Sequence, residues 1–218
     1  MIRPSTLLFI AAVAISAGFA IVAAARGDRP GFAFFKPLTT FIVLLGAAWL
    51  VQPGGQPYRS FIVLALALSL SGDLLLVLPA ERFGAALAAF LLAHLVYLAA
   101  FSVGSPIALR QLPWLAPWLL ACGAVAAYAW RGLGRLRTAV LCYVATISAM
   151  GWRAAMRGQA PAIGSTGFAL ALAGACLFVA SDMVLALRRF RRPFRGAHEL
   201  ELAAYWAAQL LIALSVGA

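Results

Sequence analysis

Long apolar runs, about as long as a bilayer is thick, decide what this chain can fold into. Polar or Pro/Gly-rich breaks divide it into eight such runs: 6–25, 33–51, 60–79, 83–102, 113–130, 136–156, 163–187 and 199–217. About 20 apolar residues span hydrocarbon as a helix. Backbone groups inside a membrane must also be satisfied within the element, which leaves helices or closed barrels. The runs lack the alternation of barrel strands, so the expected fold is all-α: a polytopic membrane helix bundle of about eight transmembrane helices. The connectors are short, so successive helices should be antiparallel neighbours. With 218 residues, the chain has no length left for a soluble module, and one integral membrane domain over 1–218 is expected. Arg3, the apolar run Leu7–Ala24 and the small residues Ala23–Ala25 outline a secretory signal. The run is long for a signal core and seven more follow, so retention as the first helix is expected.

Charge argues the same way. The formal net charge of +11 suggests a nucleic-acid partner, but only 11% of residues are charged and 65% are hydrophobic. The basic residues lie mostly in short connectors, where they act as topology signals, and no nucleic-acid partner is expected. Connectors after odd-numbered runs hold twelve of them: Arg26, Arg29, Lys36, Arg82, Arg131, Arg135, Arg137, Arg188, Arg189, Arg191, Arg192 and Arg195. The other face holds five: Arg3, Arg59, Arg110, Arg153 and Arg157. Both termini are therefore expected outside the cytoplasm. In a bacterial source the membrane would be the inner one.

Two acids stand inside the runs. Asp73 lies in the third, Asp182 in the seventh, while Asp28, Glu81, Glu199 and Glu201 fall at run ends or in connectors. A carboxylate in hydrocarbon is expensive, so intramembrane acids face a bundle interior and mark function. Asp73 stands six residues before Pro79 and Asp182 six before Arg188. That puts both about 9 Å inside the same end of the bundle. Two carboxylates in one dry pocket do not both ionise comfortably; one then holds a proton and serves as donor while the other serves as acceptor. The competing expectation is a structural acid bonded to Ser71 or Ser181, or paired with an arginine.

Other polar residues gather at similar depth. His94 and Tyr97 share a helix face by their i, i+3 spacing, as do Tyr205 and Gln209 at i, i+4. Interhelical hydrogen bonding alone would explain them. Lys36, at the head of Lys36-Pro37-Leu38-Thr39-Thr40, could snorkel to the interface or meet a lipid phosphate. Runs three and seven each carry serine just before the acid, and a tyrosine follows 24 or 23 residues later, Tyr97 and Tyr205. This weak repeat suggests two parallel four-helix halves. There is no GxSxG, P-loop or CxxC, and Cys122, Cys142 and Cys176 stand apart as packing residues. A metal on Asp73, Asp182 and His94 lacks further histidines, and no cofactor is expected.

Taken in order, these stretches resemble the YhhN/TMEM86 integral membrane proteins. The matching residues are Lys36-Pro37-Leu38-Thr39-Thr40, Leu70-Ser71-Gly72-Asp73-Leu74-Leu75-Leu76, Phe90 with His94 and Tyr97, Phe178 with Ser181 and Asp182, and Tyr205 with Gln209-Leu210-Leu211-Ile212. The resemblance implies an eight-helix fold. In characterised animal members it implies a lysoplasmalogenase, which hydrolyses the vinyl ether bond of a lysoplasmalogen to a fatty aldehyde and a glycerophospho-ethanolamine or -choline. The partners it implies are a lysophospholipid substrate and membrane lipids. The catalytic expectation falls on Asp73 and Asp182, with Lys36, Ser71, His94, Tyr97, Ser181, Tyr205 and Gln209 binding or supporting. A different class, a small lipid or ion transporter, would use the same aspartates to bind a cation or relay protons. A non-catalytic membrane scaffold would need neither acid for chemistry.

Overall fold

The computed structural model of the chain describes residues 3–50, 56–78, 82–160, 163–191 and 194–217. Eight helices among them are long and apolar enough to cross a membrane. They are α1 (Pro4–Arg26), α2 (Arg29–Leu45), α3 (Gln56–Val77), α4 (Phe83–Ser102), α5 (Ala116–Ala129), α6 (Arg137–Met156), α7 (Ser165–Phe190) and α8 (Ala197–Leu214). Short helical turns extend the second and fifth spans to Arg29–Trp49 and Leu109–Gly132. The ends expected at 51 and 79, together with Glu81 and Arg192, lie outside the described residues.

Local chemistry accounts for the boundaries. Pro4 opens α1, where its missing N–H is no loss, and Gly27 closes the helix in the left-handed region at φ 70°. The second helix starts at Arg29, a turn earlier than the apolar run at 33, because Asp28 accepts the Gly31 N–H at 3.1 Å and Pro30 supplies the first-turn φ. That extra turn carries Lys36 inside the helix rather than to its mouth. Pro37 continues the same helix at the cost of one backbone bond.

α3 packs along α4 and α7 along α8 as the two most extensive helix pairs, with α1 on α2 and α6 against α4. Between them runs an aromatic seam: Phe90–Tyr205, Tyr205–Phe178, Phe178–Tyr97 and Tyr97–Phe101, with ring centroids 6.0, 5.5, 5.8 and 6.2 Å apart. Such edge-to-face and offset contacts add to the area they bury.

The far end, away from the aspartates, is fastened differently. Arg153 and Arg157 are buried on α6. The Arg153 guanidinium donates to Ser102 Oγ, to Gln111 Oε1 and to the Ser105 carbonyl. Arg157 donates to the carbonyls of Ala100 and Val103 and lies 4.2 Å from the Tyr58 ring. The two arginines thus satisfy carbonyls at the end of α4, where cations are favoured.

Candidate functional site

Asp73, fully buried on α3, is held from two other helices. Lys36 Nζ of α2 lies 2.7 Å from Oδ1. Thr40, one turn along α2, donates its hydroxyl to Oδ2 at 2.6 Å, and Tyr205 of α8 donates to the same oxygen at 2.8 Å. Trp206 Nε1 in turn donates to Thr40 Oγ1 at 3.3 Å. The ammonium sits among the rings of Tyr205, Trp206 and Phe32, at 5.1, 5.9 and 6.0 Å. Two hydroxyl donors on one oxygen and an ammonium beside the other surround the Asp73 side chain. Gly72 beside it has a packing reason: a β-carbon there would come within 2.7 Å of the Phe90 ring.

Asp182 on α7 has a different shell. Tyr143 of α6 donates to Oδ2 at 2.7 Å, and His94 Nε2 of α4 stands 3.4 Å from the same oxygen. The other imidazole nitrogen, Nδ1, lies 2.6 Å from the Phe90 carbonyl. A carbonyl only accepts, so Nδ1 carries the hydrogen and a neutral ring presents a bare Nε2 to the acid. That Nε2 is buried and makes no hydrogen bond among the described residues. Tyr143 and Phe178 hold the ring at centroid distances of 5.1 and 4.7 Å.

The two acids therefore occupy related but unlike places. Asp73 is held from the preceding helix, α2, and from α8; Asp182 is held from its preceding helix, α6, and from α4. Helix for helix, this is the pairing that two parallel halves predict. The repeated tyrosines are not equivalent. Tyr205 bonds Asp73, whereas His94, one turn before Tyr97, stands against Asp182, and the Tyr97 hydroxyl is buried near Ser69.

Several expectations change. Lys36 does not snorkel to the interface; it is buried beside Asp73. Ser71 is exposed and bonds the Ala67 carbonyl of its own helix at 3.0 Å, away from Asp73. Ser181 donates to the Glu201 carbonyl at 2.9 Å and staples α7 to α8. Gln209 is buried, and among the described residues neither of its amide atoms has a hydrogen-bond partner. Among the described residues, no three His, Cys, Asp or Glu side chains come together to hold a metal. Of the arginines at the end of α7 and just beyond it, Arg188 pairs with Glu201 at 2.7 Å and Arg191 donates to the Tyr128 carbonyl at 2.5 Å.

Three contributors escaped the sequence-based selection. Thr40 could have been found by its i+4 spacing from Lys36. Tyr143 and Trp206 carry no comparable signal, because a tyrosine or tryptophan in an apolar run is ordinary core.

Two cavities open at Asp182. A small polar one, about 20 Å³, is lined by Lys36, Phe90, Ser181, Glu201 and Tyr205 among others. A larger one of about 70 Å³ is lined almost wholly by carbon side chains of α4, α5, α6 and α7. Asp182 and Leu185 line both.

Comparison with known proteins agrees with this architecture. The YhhN family profile matches residues 31–216. The chain is 34% identical over 211 residues to the uncharacterized membrane protein YhhN of Escherichia coli O157:H7, covering 94% of this chain and 96% of that protein. It is 37% identical over 186 residues to the lysoplasmalogenase TMEM86B of Sus scrofa, covering 83% of this chain and 72% of that protein. The human lysoplasmalogenase TMEM86B is 36% identical over 185 residues, covering 84% and 75%. No solved structure matches the chain.

Proposed function

This chain belongs to the YhhN family, and from that premise we propose that it is a membrane-embedded hydrolase that cleaves the vinyl ether bond of a lysoplasmalogen. The observation that carries the proposal is the unlike pair of acids: Asp73 held 2.7 Å from the Lys36 ammonium, and Asp182 facing the imidazole of His94 at 3.4 Å on the wall of the cavities.

The chemistry uses the two acids differently. Hydrolysis begins when a proton adds to the vinyl carbon β to the ether oxygen, and the π electrons shift to leave an oxocarbenium ion. The Asp182–His94 pair supplies the proton. Water then adds to the cationic carbon and gives its own proton back to the pair. The resulting hemiacetal breaks its bond to the glycerol oxygen, which takes a proton and leaves an aldehyde and a glycerophospho-alcohol. Glycosidases pass through a similar cation with one acid and one carboxylate. Asp73 stays ionised throughout, and its charge favours the cation in a low-dielectric site. Lys36 serves this carboxylate rather than a substrate phosphate, and Tyr205 joins Asp73 to the polar cavity. Gln209, one turn deeper on α8, has neither amide atom partnered among the described residues and would bind a hydroxyl or water.

The test is aldehyde release from lysoplasmenyl-ethanolamine by purified protein, with Asp73→Asn and Asp182→Asn alongside. Aldehyde from the wild type, lost in both folded variants, is the expected result. A folded wild type that releases none, yet moves lipid or ions across proteoliposomes, would replace the hydrolase with a transporter.

A further inference from the structure

The apolar cavity borders the ionic machinery at Asp182 and Tyr143, and its lining is specific. Its walls include Leu87, Ala126, Ala129, Val140 and Val144, and Asp182 is the one carboxylate among its described lining residues. One end is blocked. The rings of Phe83 and Phe190 meet edge to face at 5.9 Å, and the Arg189 guanidinium lies 4.6 Å over Phe83. Gly132 lets the connector after α5 lie against this plug, since a β-carbon there would collide with the Phe190 carbonyl. The other cavity, across the seam between α4 and α7, is polar and carries Lys36, Glu201 and Tyr205.

A void lined by carbon on one side of an acid and by charges on the other suits a molecule of the same polarity: one hydrocarbon chain, then a reacting bond, then a polar end. We infer that the apolar cavity binds a single unbranched hydrocarbon chain, and that the Phe83–Phe190 plug limits how long that chain can be. The inference rests on the proposed hydrolase only for which bond lies at the junction. The walls act by exclusion rather than attraction, because a chain leaving the bilayer exchanges one apolar surrounding for another and gains little hydrophobic free energy. Selection by length is therefore a cut-off set by volume, not a steady gain per methylene.

The first experiment needs no turnover. A saturated alkyl-ether lysophosphoethanolamine, which has no vinyl group to protonate, carries a diazirine at the chain end and is placed with wild-type protein in nanodiscs. After illumination, label is expected on peptides bearing Leu133, Val140 or Phe190. Label confined to membrane-facing positions such as Ile15 or Leu120 would overturn the inference. The second experiment fills the cavity with Ala129→Phe and compares hexadecenyl with octenyl lysoplasmalogens. The long-to-short ratio of kcat/KM should fall about tenfold or more. An equal loss for both chains also overturns it. If that variant does not fold, the wild-type labelling decides alone. Cavity labelling without aldehyde release would retain the chain site and remove the hydrolase, and aldehyde release without cavity labelling would do the reverse.

Discussion

Replacing Lys36 by methionine tests the ionic half of the site most directly. The change keeps the length and apolar stem of the side chain but removes the ammonium 2.7 Å from Asp73 Oδ1. Thr40 and Tyr205 still donate to Oδ2, so the carboxylate keeps two neutral partners and loses its only cation. Breaking a buried pair by removing one partner costs about 3–5 kcal/mol, because an uncompensated charge stays behind. The two remaining hydrogen bonds place Lys36→Met near the lower end, about 3 kcal/mol. Asp73→Asn strands the ammonium in turn and should cost a similar amount. The double variant removes both charges and should cost about 2–3 kcal/mol less than the sum of the singles. Purified proteins unfolded by SDS in mixed micelles, followed by helical circular dichroism, give the four stabilities for this cycle. Additive effects, or a single change costing less than about 0.5 kcal/mol, would mean that Lys36 and Asp73 do not form the pair described.

Tyr143→Phe deletes the hydroxyl that orients Asp182 and should lower kcat about 10²-fold with KM little changed, measured by aldehyde release. Ser71→Ala should leave stability within about 0.5 kcal/mol of wild type, since Ser71 faces outward and bonds its own helix. Ser181→Ala should cost about 1 kcal/mol by the same SDS titration, because it removes the α7–α8 staple. Gly72→Leu should drive a side chain into the Phe90 ring and cost about 1–3 kcal/mol.

Much of the architecture could be read from the residues. The eight spans follow from run length, and Asp73 and Asp182 stand out because a carboxylate in hydrocarbon needs a reason. The partners of those acids were less legible, because spacing along one helix fixes a face but not which helix lies opposite. Tyr143 became a site residue only once α6 was seen to pack against α7. Lys36 reads as interfacial because it stands near the head of its apolar run, but the Asp28 cap and Pro30 start the helix a turn earlier and draw it inside. Ser71 was a poor choice on simple grounds. Two helical steps turn a side chain about 200° away from its neighbour, so Ser71 could not share a face with Asp73.

The fastening of α4 by Arg153 and Arg157 has a consequence for how the protein is made. The side-chain partners of these arginines lie at Tyr58, Ser102 and Gln111, and the carbonyls they cap lie between Ala100 and Ser105. All of these precede α6 in the chain. The partners of Asp182, at His94 and Tyr143, likewise leave the ribosome before it does. The sixth and seventh spans carry two arginines and an acid, and each of these finds its partners already synthesised. Insertion should therefore run from the N-terminal hairpins onward, with α4 acting as the template that lets two cations enter the membrane. Disturbing the Ser102–Gln111 connector should leave α6 poorly inserted, seen as new labelling of an engineered cysteine near Arg157 by a membrane-impermeant reagent.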